Sequence, residues 1–229
     1  MTAADDTVRD GTVRDGTVPD GTVPDGTVPD GTGPDRTGPG SPPQAPAAAA
    51  RALRPVDVKR LNRAWRRATG ARLALLLDSV SQPFNVGSIF RTAAALGAEQ
   101  IWLCGDSASP EHPSARKTAL GTERLVNWDR SLTVAEAAAQ ATASGLAVVA
   151  IELASGALPL HEAPLGGDVC LALGHEDRGC SAALLAAASA VAYIPQTGRV
   201  GSLNVAAAAA IALAEARRRE WATAPGGPA

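Results

Sequence analysis

The sequence predicts an α/β protein, a parallel sheet with helices on both faces. Three observations predict it. From Arg72 onward, short apolar runs of strand length alternate with stretches of helical length. That order forms parallel sheets, because each crossover returns through a helix. The runs are almost continuous in Leu, Val, Ile and Ala, as in strands covered on both sides. About 150 residues carry the pattern, enough for a single domain of this kind.

Taken in order, Asp57 can cap a helix running to about Thr69, with Gly70 ending it. Val58, Leu61 and Trp65 lie at i, i+3 and i+7 of that helix, a narrow apolar stripe. Lys59, Arg60, Arg63, Arg66 and Arg67 take the rest of its surface. Leu73–Leu77 predicts a strand, about Val86–Leu96 a helix, and Gln100–Cys104 a strand. Residues 105–130 read as loop-rich and carry Arg116, Lys117, Arg124 and Arg130. Thr133–Ser144 predicts an Ala-rich helix, and Leu146–Ile151 and Val169–Leu173 predict strands. Ser181–Ser189 follows as a helix, Val191–Ile194 as a short strand and Ser202–Arg219 as a long terminal helix.

The formal net charge of −2 averages over unlike parts. Residues 1–50 hold eight Asp and three Arg; residues 51–72 hold eight Lys or Arg against Asp57 alone. The near-neutral total therefore hides an acidic tail and a basic collar. The tail repeats Asp-Gly-Thr-Val-Pro or a close variant, with Asp at 5, 10, 15, 20, 25, 30 and 35. Gly and Pro in each unit stop helix and ladder alike, and one Val per unit buries too little to offset ordering entropy. The expected organisation is a disordered tail and linker over 1–50, a basic helical extension over 51–70, the α/β domain over 71–221 and a flexible C-terminus over 222–229.

Several function classes are excluded on the same grounds. No apolar run is long enough for a membrane span, and the N-terminus has no signal-peptide core. Cys104, Cys170 and Cys180 are an odd count without a C-x-x-C pair, which argues against a disulfide scaffold or a Cys zinc site and fits the cytoplasm. His112, His161 and His175 share no metal-ligand spacing, so no metal is expected. Cys180 follows Gly179 at a helix start, where a thiolate can be stabilised, but a buried inert thiol is the preferred reading.

Three Gly-containing segments stand at strand ends: Asn85-Val-Gly-Ser-Ile-Phe-Arg91, Leu173-Gly-His-Glu-Asp-Arg-Gly179 and Gly198-Arg-Val-Gly-Ser-Leu-Asn204. Ligands of open parallel sheets bind outside the carboxyl ends of the strands, which makes these segments the expected site. None is a dinucleotide fingerprint or a P-loop, which disfavours an NAD enzyme or an NTPase.

The three segments resemble, in order, the signature motifs of the SpoU/TrmH-type RNA 2′-O-ribose methyltransferases of the SPOUT superfamily. They match as N-x-G-x-x-x-R, Leu-Gly-x-Glu-x-x-Gly and Ser-Leu-Asn-Val-Ala, over about Leu73–Arg219. The resemblance implies a SPOUT fold with a C-terminal trefoil knot, S-adenosyl-L-methionine as cofactor and a homodimer. It also implies methyl transfer to a ribose 2′-hydroxyl of tRNA or rRNA. Many relatives carry a further N-terminal RNA-binding domain where this sequence has the tail and collar, which modestly favours tRNA.

Carried onto this sequence, the resemblance makes Arg91, Asn85, Glu176, Ser202 and Asn204 the catalytic-site residues. A guanidinium practically never deprotonates, so Arg91 is expected to pair with a phosphate and stabilise a developing alkoxide rather than act as base. Asn85 is either a helix cap or an amide orienting substrate or Arg91, and Glu176 either a first-turn helix charge or support for neighbouring site groups. Ser202 is either the cap of the last helix or a site residue.

Cofactor contacts fall on Gly174, Ile194 and Leu203, with Leu153 as a fourth candidate; Gly174 is expected to allow close backbone approach. With an RNA substrate implied, Arg60, Arg63, Arg66, Arg67, Arg116 and Lys117 become candidate phosphate contacts, against a plainer reading of the collar as a solvated helix. Two alternatives stay open, a non-catalytic RNA-binding or assembly factor and a base-methylating enzyme of the same superfamily.

Overall fold

A computed structural model describes residues 51–130 and 133–223. The expectations for residues 1–50 and for the end beyond Thr223 lie outside the described residues. Seven strands form one sheet: β1 (Leu73–Asp78), β2 (Gln100–Cys104), β3 (Asn127–Asp129), β4 (Ala147–Ile151), β5 (Leu158–Pro159), β6 (Val169–Leu173) and β7 (Ala190–Tyr193). Their order is β3-β2-β1-β6-β4-β7-β5, and every pairing is parallel. The described residues also form six α-helices: α1 (Pro55–Ala68), α2 (Pro83–Ala95), α3 (Pro113–Ala119), α4 (Val134–Ala143), α5 (Ala182–Ala187) and α6 (Val205–Thr223).

Successive side chains of a strand point to opposite faces, and β1 is buried along its whole length. Leu73, Leu75 and Leu77 pack with Val86, Ile89, Phe90 and Ala93 of α2 and with Ala209, Ala212 and Leu213 of α6. Ala74 and Leu76 face the other way, toward Ala137, Ala138 and Ala141 of α4 and Leu184 of α5. The expected parallel sheet with helices on both faces is therefore present. Small residues on α4 let that helix lie close to the sheet.

Several boundaries differ from the sequence expectation, each for a local reason. α1 begins at Pro55 after Arg54, so Asp57 is a first-turn residue paired with Arg54 at 2.9 Å rather than the cap. α2 begins at Pro83, three residues before the expected start. Residues 105–130 are not simply loop: α3 starts at Pro113, with His112 Nδ1 accepting from the Ser114 N–H at 3.2 Å. A 3-10 turn over Thr122–Arg124 and β3 follow. α3 lies against α2 at Gly87, where any β-carbon would collide with the Ala115 carbonyl and the Thr118 hydroxyl. The glycine of the first motif is thus a helix-packing residue.

α6 runs past the expected domain end at 221, and it begins at Val205 instead of Ser202. Asn204 is its cap, its Oδ1 accepting from Ala206 N–H at 2.9 Å and Ala207 N–H at 3.3 Å. Near the far end of α6, the buried Arg217 guanidinium donates to the carbonyls of Ala71, Leu96 and Gly97 and to Glu220. Those carbonyls belong to the entry of β1 and the exit of α2, so one side chain ties three segments together.

Candidate active site

β1 and β6 are neighbours in the sheet, although almost a hundred residues separate them in sequence. The loops leaving their carboxyl ends consequently meet. Glu176, just past β6, turns its carboxylate onto the segment that follows β1. It accepts from Gln82 N–H at 3.0 Å, Ser81 N–H at 3.1 Å, Ser81 Oγ at 3.3 Å and Asn85 Nδ2 at 2.9 Å. Burial disfavours the Glu176 charge. The bonds from Asn85 and from the backbone of Gln82 and Ser81 outweigh it and hold the carboxyl below the usual carboxylate range. The charge sits at the N-terminal end of α2, where the helix dipole favours an anion. Glu176 is therefore not a first-turn charge of its own following helix.

Asn85 passes the connection on. Its Oδ1 accepts from Asn204 Nδ2 at 2.9 Å, and Asn204 caps α6. One chain of hydrogen bonds, Glu176 to Asn85 to Asn204, joins the three motif segments. Asn85 is the third residue of α2 and orients Glu176 and Asn204; it neither caps the helix nor holds Arg91.

The loop after β6 closes on itself. His175 and Gly179 exchange backbone bonds at 3.0 and 2.9 Å, and His175 Nδ1 accepts from Asp177 N–H at 3.0 Å. A β-carbon on Gly174 would collide with the backbone of Gly179 and Cys180. The missing side chain there makes room for the loop's own return, a structural reason for the glycine that the sequence reading did not give, and Gly174 also lines the cleft described next. Glu152, just past β4, accepts from Cys180 N–H at 2.7 Å and Leu153 N–H at 2.9 Å, and its carboxylate fills the space beside Gly179.

A cleft opens at these strand ends. Its walls include Glu152, Leu153, Gly174, Glu176, Ile194, Ser202 and Leu203, with Tyr193, Gln196 and Val205. All four expected cofactor residues are in it, together with Glu176 and Ser202. Among the described residues lining it, the ionisable side chains are His175, Tyr193 and the two glutamates, with no Lys or Arg. Sequence reasoning passed over Glu152, although an acid directly after an apolar strand, at the ligand-binding edge of a parallel sheet, is a readable signal.

Arg91 is not brought to the cleft. It is exposed on α2, one face along from Phe84 and Ser88 at i, i+4 and i+7, with no ion pair or hydrogen bond among the described residues. Arg60, Arg63, Arg66 and Arg67 are exposed on α1, and Arg116 and Lys117 are exposed on α3. α1 docks through Trp65, whose ring lies 4.9 Å from that of Trp221, while Val58 stays 40% exposed. The stripe is thus shorter than its spacing suggests.

All three thiols are buried and unpaired. Burial, with Asp78 nearby, pushes Cys104 up to about 12, and burial likewise raises Cys170 and Cys180. Cys180 lies before the α5 cap, Ser181, rather than in the helix's first turn.

Residues 72–214 match the sequence profile of the SpoU rRNA Methylase family, well over half of the chain. The chain belongs to this family. A relative from Acinetobacter baylyi, a 23S rRNA (guanosine-2′-O-)-methyltransferase, is 35% identical over 148 residues, covering 64% of this chain and 60% of the relative. The tRNA (guanosine(18)-2′-O)-methyltransferase of Escherichia coli is 29% identical over 147 residues, 64% of this chain and 63% of that protein. Among solved structures, an AdoMet-bound rRNA methyltransferase from Sinorhizobium meliloti superposes with a TM-score of 0.61 at 34% identity, covering 66% of this chain and 57% of the other. This SpoU-family chain therefore spans about three fifths of the length of the curated relatives it matches.

Proposed function

We propose that the chain is an S-adenosylmethionine-dependent RNA methyltransferase acting on a ribose 2′-hydroxyl of tRNA or rRNA. The observation that carries this is the Glu176–Asn85–Asn204 chain, which joins the three family motifs by hydrogen bonds beside one cleft. The donor set suits the cofactor. Leu153, Ile194 and Leu203 offer apolar walls, Gln196 an amide, and Glu152 and Glu176 negative charge that favours a cationic ligand. When bound, S-adenosylmethionine supplies an activated methyl group on a positively charged sulfur.

What this chain contributes is position. Glu176 and Asn85 fix the entry of α2, and Asn204 fixes the entry of α6, before any substrate arrives. Ser202, in the wall of the cleft, offers a hydroxyl to the substrate. Arg91, standing outside the cleft of the single chain, is assigned to an RNA phosphate, since a guanidinium binds phosphate well and yields no proton. Arg60, Arg63, Arg66, Arg67, Arg116 and Lys117 extend this phosphate contact from both ends of α2. The homodimer, the C-terminal trefoil knot and a cytoplasmic location belong to the same proposal. Exposed Phe84, Leu120 and Leu125 leave apolar surface around α2 and α3 that supports self-association.

The test is transfer of tritium from labelled S-adenosylmethionine into purified tRNA and rRNA, followed by nucleoside analysis. A labelled 2′-O-methylnucleoside is the expected product. Label on a base would make the chain a base methyltransferase, and no label in either RNA would favour a non-catalytic RNA-binding factor.

A further inference from the structure

A second cleft lies at the opposite end of the sheet, between α1, the exit of α2 and the last turns of α6. Its volume is about 590 Å³, within the range of small-molecule sites. Its walls include Asn62, Trp65, Arg66, Arg72, Arg217 and Trp221. Trp221 is held in place: its Nε1–H donates to Thr69 Oγ1 at 2.9 Å, and that hydroxyl donates to the Trp65 carbonyl at 2.8 Å. The two indoles are tilted by 51° and both are partly exposed, so neither ring is used up by the other.

The polarity is the reverse of the first cleft. Three arginines line this one against a single glutamate, Glu99, and that glutamate is already bound to Arg72 at 2.6 Å. Arg217 is spent on carbonyls and Glu220. Arg66 and Asn62, by contrast, have no hydrogen-bond or ion-pair partner among the described residues and stand on the lip next to the exposed Arg63 and Arg67. Docking α1 onto α6 accounts for the contact between the two tryptophans. It does not account for an open cleft rimmed by a free guanidinium and a free amide.

We propose that this cleft holds one unstacked nucleotide of an RNA strand, a site remote from methyl transfer. Aromatic faces take a base of any sequence, Arg66 takes the phosphate, and the Asn62 amide offers a donor and an acceptor to the base edge. α6 connects the two clefts, with Ala208 lining the first and Trp221 the second. Thirteen residues of helix put them about 20 Å apart, a span of several nucleotides. The site would thus fix the register of the RNA relative to the reacting ribose. The inference rests on the reading of the chain as RNA-acting.

The experiment uses the full chain in two arms. In the first, a short single-stranded oligouridylate carrying 5-iodouridine is photo-crosslinked and the adduct mapped by mass spectrometry; Trp65 or Trp221 is the expected position. In the second, KM and kcat for the RNA that accepts label are measured for Trp65→Ala, Trp65→Phe and the Asn62→Ala/Arg66→Ala pair. Trp65→Ala and the pair raise KM about tenfold with kcat kept, and Trp65→Phe restores most of the affinity. Asn62 and Arg66 take no part in the tryptophan pair or in the hydrogen bonds through Thr69, so the effect of the pair separates recognition from folding.

Crosslinks confined to other residues, or an unchanged KM in the pair, overturn the proposal even if methyl transfer is confirmed. Concentration-dependent self-association lost in the same variants would do so too, since the occupant would then be a second copy. If no RNA accepts label, the proposed activity fails, yet the crosslink still decides whether the cleft takes a nucleotide.

Discussion

Replacing Glu176 by Gln tests the joint between the first two motifs. The carboxylate accepts four bonds, two on each oxygen. The amide keeps one acceptor oxygen, which can serve Gln82 N–H and Asn85 Nδ2. Its NH2 then faces Ser81 N–H, donor against donor, while the Ser81 hydroxyl can rotate to accept. One backbone N–H loses its acceptor, worth about 1–2 kcal/mol at a half-buried position. The two bonds that remain lose their charge assistance, roughly another 1 kcal/mol together.

The expected loss is about 2 kcal/mol, or roughly 4–8 °C in Tm for a domain of this size. Urea unfolding followed by tryptophan fluorescence measures it. The pH dependence has a definite sign. The folded pKa of Glu176 lies below its unfolded value, so its contribution is full above the unfolded pKa, about 4.3, and is lost as pH falls through the folded pKa. The gap between parent and Glu176→Gln should therefore be widest near neutrality and close in strong acid, where the parent carries a neutral carboxyl too. Equal stability at neutral pH, or a gap that persists in strong acid, would refute the reasoning.

Gly174→Ala drives a β-carbon into the backbone of Gly179 and Cys180 and should cost about 2 kcal/mol, while Gly166→Ala, in open space, should melt like the parent. Arg217→Met removes the donors to three carbonyls and one ion-pair partner of Glu220, with an expected loss of about 3 kcal/mol in urea unfolding. Asn204→Ala removes the cap of α6 and the bond to Asn85 together, so about 1–2 kcal/mol should be lost, visible as a lower thermal midpoint by circular dichroism. A disulfide reagent added to the native protein should find no fast thiol, whereas unfolded protein should titrate three.

The sequence by itself determined the fold class, most strands and the strand ends at which the cleft opens, because these follow from local signals. A strand buried on both faces is apolar over its buried length, and Gln100–Cys104, buried from Ile101 on, and Val169–Leu173 are legible on that ground. α3 was not legible. Seven residues carry little periodicity, and the helix exists because Gly87 lets it pack on α2. The resemblance to the family motifs likewise named Asn85, Glu176 and Asn204, but not what they bind.

Their partners are set by strand order. β6 inserts beside β1, so Glu176 meets the start of α2 instead of serving its own following helix. Sheet order also puts Gly174 against Gly179, places Glu152 beside both, and leaves Arg91 outside the cleft its motif suggests. Hydrophobic patterning reports which residues leave water. Only the tertiary structure decides which buried or half-buried polar group finds which, since a hydrogen bond requires two groups within about 3 Å, however far apart they are in sequence.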